Sequence, residues 1–149
     1  MGSLARCQRS LDIRAAGDAL VAAGVRCATD VTGFGVLGHG LEIARASGTR
    51  LVVEAAALPL LAGALELARA GVETGGAGHN RRFTASSLEV GRSVPPEVIA
   101  LAHDPQTSGG LLAAVPPDRE DQVVADMAAA GVTAWRVGTV EAGDPGVAL

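Results

Sequence analysis

The stretch Cys27-Ala-Thr-Asp-Val-Thr-Gly-Phe-Gly-Val-Leu-Gly-His39 decides how the rest of the chain is interpreted. It begins in a short apolar segment, residues 25–28, which we predict as a strand, and it runs into an apolar segment, residues 36–46, which we predict as a helix. The three glycines between them permit a sharp turn and a close approach of the backbone to another group. Because the helix begins with free N–H groups, this junction favours an anion.

Asp30 lies in the same turn, and its charge would repel a phosphate unless a cation stood between them. An acid in an anion-binding turn therefore suggests a carboxylate, a metal ion and a polyphosphate held at one strand-to-helix junction. Another phosphate site, or a purely structural turn, remains compatible with the residues alone.

A dinucleotide site of an oxidoreductase is a further alternative. The turn contains the pattern Gly33-x-Gly35-x-x-Gly38, and a second predicted strand, Arg50–Val53, is followed by Glu54. The residues before the first glycine, however, are Thr-Asp-Val-Thr rather than the unbroken apolar strand of a sheet buried on both faces. A parallel sheet of Rossmann order would favour this alternative.

The composition restricts the classes of function. The chain has 149 residues, 48% hydrophobic but only 2% aromatic, which predicts one domain with a core of small aliphatic side chains. All 12 basic residues are arginines, so the chain cannot supply a catalytic or P-loop lysine. The net charge of −4 argues against a nucleic-acid surface.

Membrane and redox signals are weak in this sequence. No apolar run reaches the roughly 18 residues of a membrane span, and no segment is typical of a signal peptide, so we predict a cytoplasmic protein without membrane association. Cys7 and Cys27 form no C-x-x-C pair, and two reduced thiols are expected.

Hydrophobic spacing and glycine stops predict the remaining elements. Predicted helices cover residues 4–23, a segment that begins at Pro59, and a segment after Asp118 with Val123, Val124, Met127 and Ala128 buried. Residues 73–96, with Arg81 and Arg82, are predicted as an irregular surface loop, and residues 94–102 as a helix or an extended segment. Further strands are predicted at residues 111–115, 134–140 and 147–149, which gives a sheet of four or five strands covered by helices.

A second polar cluster, Asp104-Pro-Gln-Thr-Ser-Gly-Gly110, is typical of a tight loop that leads into a strand. Thr107 and Ser108 could act as nucleophiles only with a base beside them, and we favour a role in capping the loop. No two histidines have the spacing of a metal site, so structural or surface roles are expected for His39, His79 and His103.

Residues 28–39 and 104–112 resemble the two sequence motifs of the C-terminal half of selenophosphate synthetase, also called selenide, water dikinase. Leu58-Pro-Leu-Leu61 and the pattern of Gly75, Gly76 and Asn80 fit the same family. The resemblance implies that residues 1–149 form one α+β domain like the C-terminal domain of aminoimidazole ribonucleotide (AIR) synthetase, an α/β/α layered sandwich around a mixed sheet.

The resemblance also implies a function. The family makes selenophosphate, AMP and orthophosphate from ATP, selenide and water, with ATP chiefly on an N-terminal domain and Mg²⁺ between its phosphates and aspartates of both domains. Asp30 stands at the position of the metal-binding aspartate, and Thr29, Thr32 and Gly33 would lie beside the phosphates as nucleotide contacts.

The family's catalytic cysteine and lysine have no counterpart here, so the resemblance assigns no catalytic residue to this chain. It implies a C-terminal domain that is inactive alone and whose full-length enzyme is a homodimer. A non-catalytic interaction domain remains the other alternative, and it would lack a metal site and expose an apolar face.

Overall fold

The computed structural model describes residues 2–7 and 13–149, with only the backbone described for residues 5–7. The described strands, in chain order, are β1 (Gly2–Cys7), β2 (Cys27–Asp30), β3 (Arg50–Val53), β4 (Leu88–Glu89), β5 (Leu111–Val115), β6 (Ala134–Glu141) and β7 (Gly146–Ala148). The described α-helices are α1 (Ile13–Ala22), α2 (Gly35–Ser47), α3 (Ala64–Arg69), α4 (Ala77–Thr84), α5 (Pro96–Ala102) and α6 (Glu120–Ala129).

The strands form one mixed sheet in the order β2-β5-β1-β6-β3-β7-β4. The pairs from β2 across to β3 are antiparallel, whereas β7 pairs in parallel with both β3 and β4. The sheet therefore has seven strands among the described residues rather than the predicted four or five. The two additional strands are β1 and β4, which fall in segments that we predicted as helix and as loop.

Helices cover both faces of this sheet. On β5, Leu111, Ala113 and Val115 pack in one cluster with buried residues of α1 and α6, while Leu112 belongs to a second cluster with residues of α2. Because neighbouring side chains of a strand point to opposite faces, the two clusters lie on opposite sides of the sheet. The predicted α+β, α/β/α layered sandwich is confirmed.

The helix predicted over residues 4–23 is wrong at its beginning. Leu4 is fully buried in β1, which lies between β5 and β6 and hydrogen-bonds to both, and this pairing outweighs the local helical pattern. Residues 8–12 lie outside the described part. The end of the helix is as predicted, because Ala16 and Leu20 are buried and Gly24 adopts a left-handed φ of 71°.

Four further local predictions are corrected. Residues 73–96 contain α4 and β4 rather than only irregular loop, and the helix predicted from Pro59 begins at Ala64. On α6, Val123 and Met127 are buried, but Val124 and Ala128 are exposed. The strand predicted at residues 25–28 is β2, shifted toward the C terminus so that it ends at Asp30.

Cys27 is a free thiol, whereas the side chain of Cys7 lies outside the described part. In residues 2–7 and 13–149, none of the helices combines the length and the apolar character that crossing a membrane requires.

Candidate functional site

The pairing of β2 with β5 brings the two sequence motifs together. Asp30, at the end of β2, lies opposite Leu111, at the beginning of β5. Because the two strands are antiparallel, the turn after β2 and the loop before β5 lie at the same end of the sheet. We call these two segments, residues 31–34 and 104–110, the double turn.

Backbone hydrogen bonds hold the double turn together. The amide of Val31 donates to the carbonyl of Gly110 at 2.9 Å, and the amide of Gly109 donates to the carbonyl of Val31 at 2.9 Å. The Gln106 amide donates to the carbonyl of Thr32, also at 2.9 Å. The second motif therefore supports the first through its backbone.

Close packing explains three glycines in the double turn and at the beginning of α2. Gly35 has a φ of 67°, and a Cβ there would lie 2.9 Å from the carbonyl carbon of His103. A Cβ on Gly109 would lie 2.6 Å from the Val31 carbonyl oxygen, and one on Gly38 would lie 2.6 Å from the Cβ of Phe34. These glycines let α2 begin directly against the second motif.

Asp30 is exposed, and its carboxylate forms no ion pair or hydrogen bond with another side chain in the described part of the protein. Thr29, its neighbour on β2, lies opposite Leu112 and therefore on the sheet face that α2 covers, whereas Asp30 shares the opposite face with Leu111. The Thr29 hydroxyl donates to the Asp30 carbonyl at 3.2 Å. The strand thus separates the predicted site residues Thr29 and Asp30.

The turn that follows Asp30 offers hydrogen-bond donors. The amide of Gly35 donates to the carbonyl of Thr32 at 3.0 Å. The amides of Gly33 and Phe34, in contrast, donate to no acceptor among residues 2–7 and 13–149. They directly precede α2, whose first amides add to the positive potential there. An anion is the group that these donors suit.

The hydroxyl of Thr32 belongs to a chain of three side chains. Thr32 Oγ1 lies 3.2 Å from His39 Nε2, and His39 Nδ1 lies 3.0 Å from Glu42 Oε2. His39 is buried on α2, in accord with its predicted structural role, and Glu42 is exposed one turn further along the helix.

Asn80 is a residue of this site whose role sequence reasoning missed, because we placed it in a surface loop. It is buried on α4, and its Nδ2 donates to the carbonyls of Gly33 and His103, each at 2.9 Å. The only sequence signal was its place in the glycine-rich pattern of the family. Through these two hydrogen bonds, Asn80 holds the turn at Gly33 against the end of α5.

His103 occupies the same buried network. Its Nε2 lies 3.0 Å from the hydroxyl of Thr84, and its Nδ1 lies 2.8 Å from the carbonyl of Ile99. Burial lowers the pKa of His103, because the charged imidazolium would lose its hydration.

Other polar candidates lie apart from the turn or serve its structure. Asp104 accepts hydrogen bonds from Thr74 at 2.8 Å and from Gln106 at 3.2 Å, which order the loop. Thr107 and Ser108 are exposed, and neither has an imidazole within hydrogen-bond distance in the described part. Arg81 pairs with Glu73, so it is not a free cation for a ligand.

The residues present fit a hard, oxygen-liganded cation such as Mg²⁺, but only in part. Asp30 supplies an accessible carboxylate, while no cluster of three or more His, Cys, Asp or Glu side chains occurs in residues 2–7 and 13–149. A cation at Asp30 would therefore need additional oxygen ligands from water, from phosphate or from another domain.

The dinucleotide alternative is wrong for this topology. In a Rossmann unit the two strands that flank the first helix are parallel neighbours. Here β2 and β3 flank α2, but β5, β1 and β6 lie between them in the sheet. Two glycines of the Gly33-x-Gly35-x-x-Gly38 pattern, Gly35 and Gly38, serve the packing described above.

The fold and the site define an α/β/α layered domain with an acid at the end of an edge strand and, beside it, a turn whose amides suit an anion. Residues 4–148 match the family model of the AIR synthase related protein, C-terminal domain, and the chain belongs to this family.

Relatives with higher sequence identity carry a more specific name. The chain is 44% identical over 116 residues to the selenide, water dikinase of Nitratidesulfovibrio vulgaris strain Miyazaki F, an alignment that covers 78% of this chain and 33% of that protein. It is 39% identical over 134 residues to the enzyme of the same name from strain DP4, with 90% and 38% covered. The chain thus spans about a third of the length of these relatives.

The fold recurs in solved structures of low sequence identity. Thiamine-monophosphate kinase from Stenotrophomonas maltophilia aligns with a TM-score of 0.59 and 16% sequence identity, over 99% of this chain and 49% of that one. This likeness supports the architecture.

Proposed function

We propose that this chain is the C-terminal domain of a selenophosphate synthetase, whose full-length enzyme makes selenophosphate, AMP and orthophosphate from ATP, selenide and water. The domain contributes Asp30 as a Mg²⁺ ligand and the turn after β2 as part of the phosphate site. The name selenide, water dikinase, which the relatives carry, supports this activity.

The observation that carries the proposal is the exposed carboxylate of Asp30, which has no side-chain partner within residues 2–7 and 13–149 as the structure describes them. An acid next to a turn with free amide donors repels the anion that those donors suit, unless a cation compensates its charge. Mg²⁺ prefers such oxygen ligands, and when bound it neutralises phosphate charge for phosphoryl transfer.

The chain's own residues then have separate tasks. Asp30 holds the cation, and the amides of Gly33 and Phe34 donate to phosphate oxygens. Thr29, which the sheet directs to the other face, contributes through the backbone of β2 rather than by direct contact. The double turn and Asn80 keep these groups in place, which reduces the cost of ordering them when substrate binds.

The remainder of the active site belongs to an N-terminal domain of the full-length enzyme, for which the resemblance also implies a homodimer. This division is compatible with a chain that contains no lysine, because the resemblance places the family's catalytic lysine and cysteine in the N-terminal segment. The isolated domain is accordingly inactive.

The interaction-domain alternative shares one feature with this proposal. Leu60, Leu61, Leu67 and Val72 are large exposed apolar side chains in and around α3. Such residues suit contact with another domain in either case, so a test of Asp30 is needed to separate the two functions.

Asp30→Asn in the full-length enzyme tests the proposal. We expect the Mg²⁺ concentration at half-maximal rate to rise about 10-fold or more, because a neutral amide is a poor ligand. Since Asp30 is exposed, the free energy of unfolding should change by less than about 0.5 kcal/mol. Selenophosphate formation is measured across a Mg²⁺ titration.

Asp18→Asn is the matched control, because Asp18 is an exposed acid on α1. This control should leave the Mg²⁺ dependence unchanged. An Asp30→Asn enzyme with the same Mg²⁺ dependence as the parent would refute the metal assignment.

A further inference from the structure

The side chains of Thr32, His39 and Glu42 form a hydroxyl–imidazole–carboxylate chain beside the turn that follows Asp30. The two contacts measure 3.2 Å and 3.0 Å. The His39 side chain is 9% exposed and that of Glu42 is 50% exposed. These hydrogen-bonded side chains therefore lead from solvent, at Glu42, through the buried ring of His39 to the site at Thr32. This arrangement has the nucleophile, base and orienting group of many catalytic triads, but it can also act by orienting a hydroxyl.

Acceptor chemistry determines which way the protons point. An ionised carboxylate only accepts, so the His39 Nδ1 that contacts Glu42 must carry the hydrogen. A neutral imidazole has one N–H, which leaves Nε2 as an acceptor. The Thr32 hydroxyl must therefore be the donor of the hydrogen bond to Nε2.

A hydroxyl whose O–H is already used in one hydrogen bond can only accept hydrogen bonds from other groups, through its lone pairs. These lone pairs repel the oxygens of a phosphate, but they accept hydrogen bonds from water bound to a metal ion. Mg²⁺ usually keeps several such waters when proteins bind it. Thr32 is thus suited to the cation rather than to the phosphate.

Thr32 lies near Asp30 in the sequence. It follows Asp30 by two residues, so the two Cα atoms lie within about 7.6 Å of each other. The phosphate has separate donors in the amides of Gly33 and Phe34.

We propose that Glu42 and His39 are positioning residues that hold the Thr32 hydroxyl as an acceptor for the hydrated divalent cation at Asp30. This proposal rests on the proposed function of Asp30. It replaces the sequence-based expectation that Thr32 contacts phosphate, and it assigns a role to His39 beyond its place in the core.

The tautomer of His39 can be measured directly in the isolated protein, by ¹⁵N-detected NMR of the imidazole nitrogens at pH 8. We expect the hydrogen of His39 on Nδ1. His103 is an internal reference, because its Nδ1 faces the carbonyl of Ile99 and must also carry the hydrogen. Glu42→Ala should change the His39 resonances and leave those of His103 unchanged, whereas a hydrogen on Nε2 of His39 in the parent chain would overturn the proposal.

The consequence for ligands is measured in the full-length enzyme. Mn²⁺ replaces Mg²⁺, its binding to the enzyme–ATP complex is followed by EPR, and ATP binding without metal is measured by calorimetry in EDTA. We expect Thr32→Val to weaken Mn²⁺ binding about 10-fold and Glu42→Ala to weaken it less, with metal-free ATP binding unchanged. Thr32→Ser, which keeps the hydroxyl, should bind Mn²⁺ like the parent, as should Glu66→Ala, an exposed acid on α3.

Other outcomes contradict the proposal in different ways. Weaker metal-free ATP binding by Thr32→Val, with Mn²⁺ binding unchanged, would make the hydroxyl a phosphate donor. If Thr32→Val affects the binding of neither ligand, the three side chains serve only to stabilise the position of α2. If Asp30→Asn weakens Mn²⁺ binding and Thr32→Val does not, only this proposal fails; if Asp30→Asn has no effect either, the proposed function fails with it.

Discussion

The side-chain amide of Asn80 joins segments that are distant in sequence. Its two hydrogen bonds reach the turn after β2 and the end of α5, while its own backbone belongs to α4. Each buried hydrogen bond contributes about 1 kcal/mol, but an acceptor left without a partner costs about 1–3 kcal/mol. The geometry of the Gly33 carbonyl therefore depends on one side chain that has no contact with substrate in the proposed function.

His103, in the same network, predicts how stability depends on pH. Its folded-state pKa is lowered mainly by burial, so the unfolded chain binds a proton more readily than the folded one. The contribution of neutral His103 is complete above the unfolded pKa of about 6.5 and is lost as the pH falls below it. Urea denaturation should show this as a decrease in the free energy of unfolding from pH 7.5 to pH 5.

The His103→Gln variant identifies the source of that decrease. At pH 7.5 it should be less stable than the parent, because it disturbs the contacts to Thr84 and Ile99. As the pH falls, the gap between parent and variant should narrow, since only the parent carries the buried imidazole. A gap that stays constant between pH 7.5 and pH 5 would show that His103 does not titrate in this way.

Strand β6 contains an irregularity that only its neighbours explain. Its register against β1 shifts between Leu4 and Ala5, which pair with Gly138 and Arg136, so that Val137 is the extra residue of a bulge. A Cβ at Gly138 would lie 2.0 Å from the carbonyl oxygen of Val52 on β3. Gly138 thus allows β3 to approach the bulge.

Gly138→Ala should destabilise the protein by about 3 kcal/mol, at the upper end of the usual cost of overpacking, because the contacted atom is backbone. Chemical denaturation of the isolated chain measures this. Gly17→Ala is the matched control: Gly17 is in α1 with open space around its Cβ position, and alanine there should stabilise by about 0.5–1 kcal/mol. Equal effects of the two substitutions would contradict the steric explanation.

The elements differ in how far the sequence could predict them. Strands such as β3 and β5 and the helix α2 lie close to their predicted positions, because hydrophobic runs and glycine stops are local signals. β1 was not predictable in this way, since it is a strand through pairing with β5 and β6, which are distant in sequence. α4 was missed because its glycine-rich beginning has the composition of a loop.

For the whole molecule, local sequence patterns indicated the residues of the turn, whereas the surroundings of the turn depend on long-range packing. The motif and the family resemblance indicated Asp30, whose exposed position at the end of β2 suits a ligand. The contact between the two motifs depends on the order of the seven described strands, and the hydrogen bonds of Asn80 and Glu42 depend on where α4 and α2 pack. Such long-range placement leaves no local pattern in the sequence.

The proposed division of the active site predicts how the isolated chain behaves. With only the carboxylate of Asp30 and the amides after it, the isolated chain has a part of the contacts that order a nucleotide. The remaining ligands of the cation would have to come from water or from the phosphates of ATP, since residues 2–7 and 13–149 contain no cluster of three or more ligating side chains. Calorimetry of the isolated chain with ATP and Mg²⁺ should give a dissociation constant of about 1 mM or weaker, which corresponds to about −4 kcal/mol, and no ATP turnover. Asp30→Asn should abolish what Mg²⁺-dependent binding remains, and the Asp18→Asn control should preserve it. A micromolar dissociation constant for the isolated chain would mean that this domain holds a complete nucleotide site, and the sharing of the cation between two domains would then be wrong.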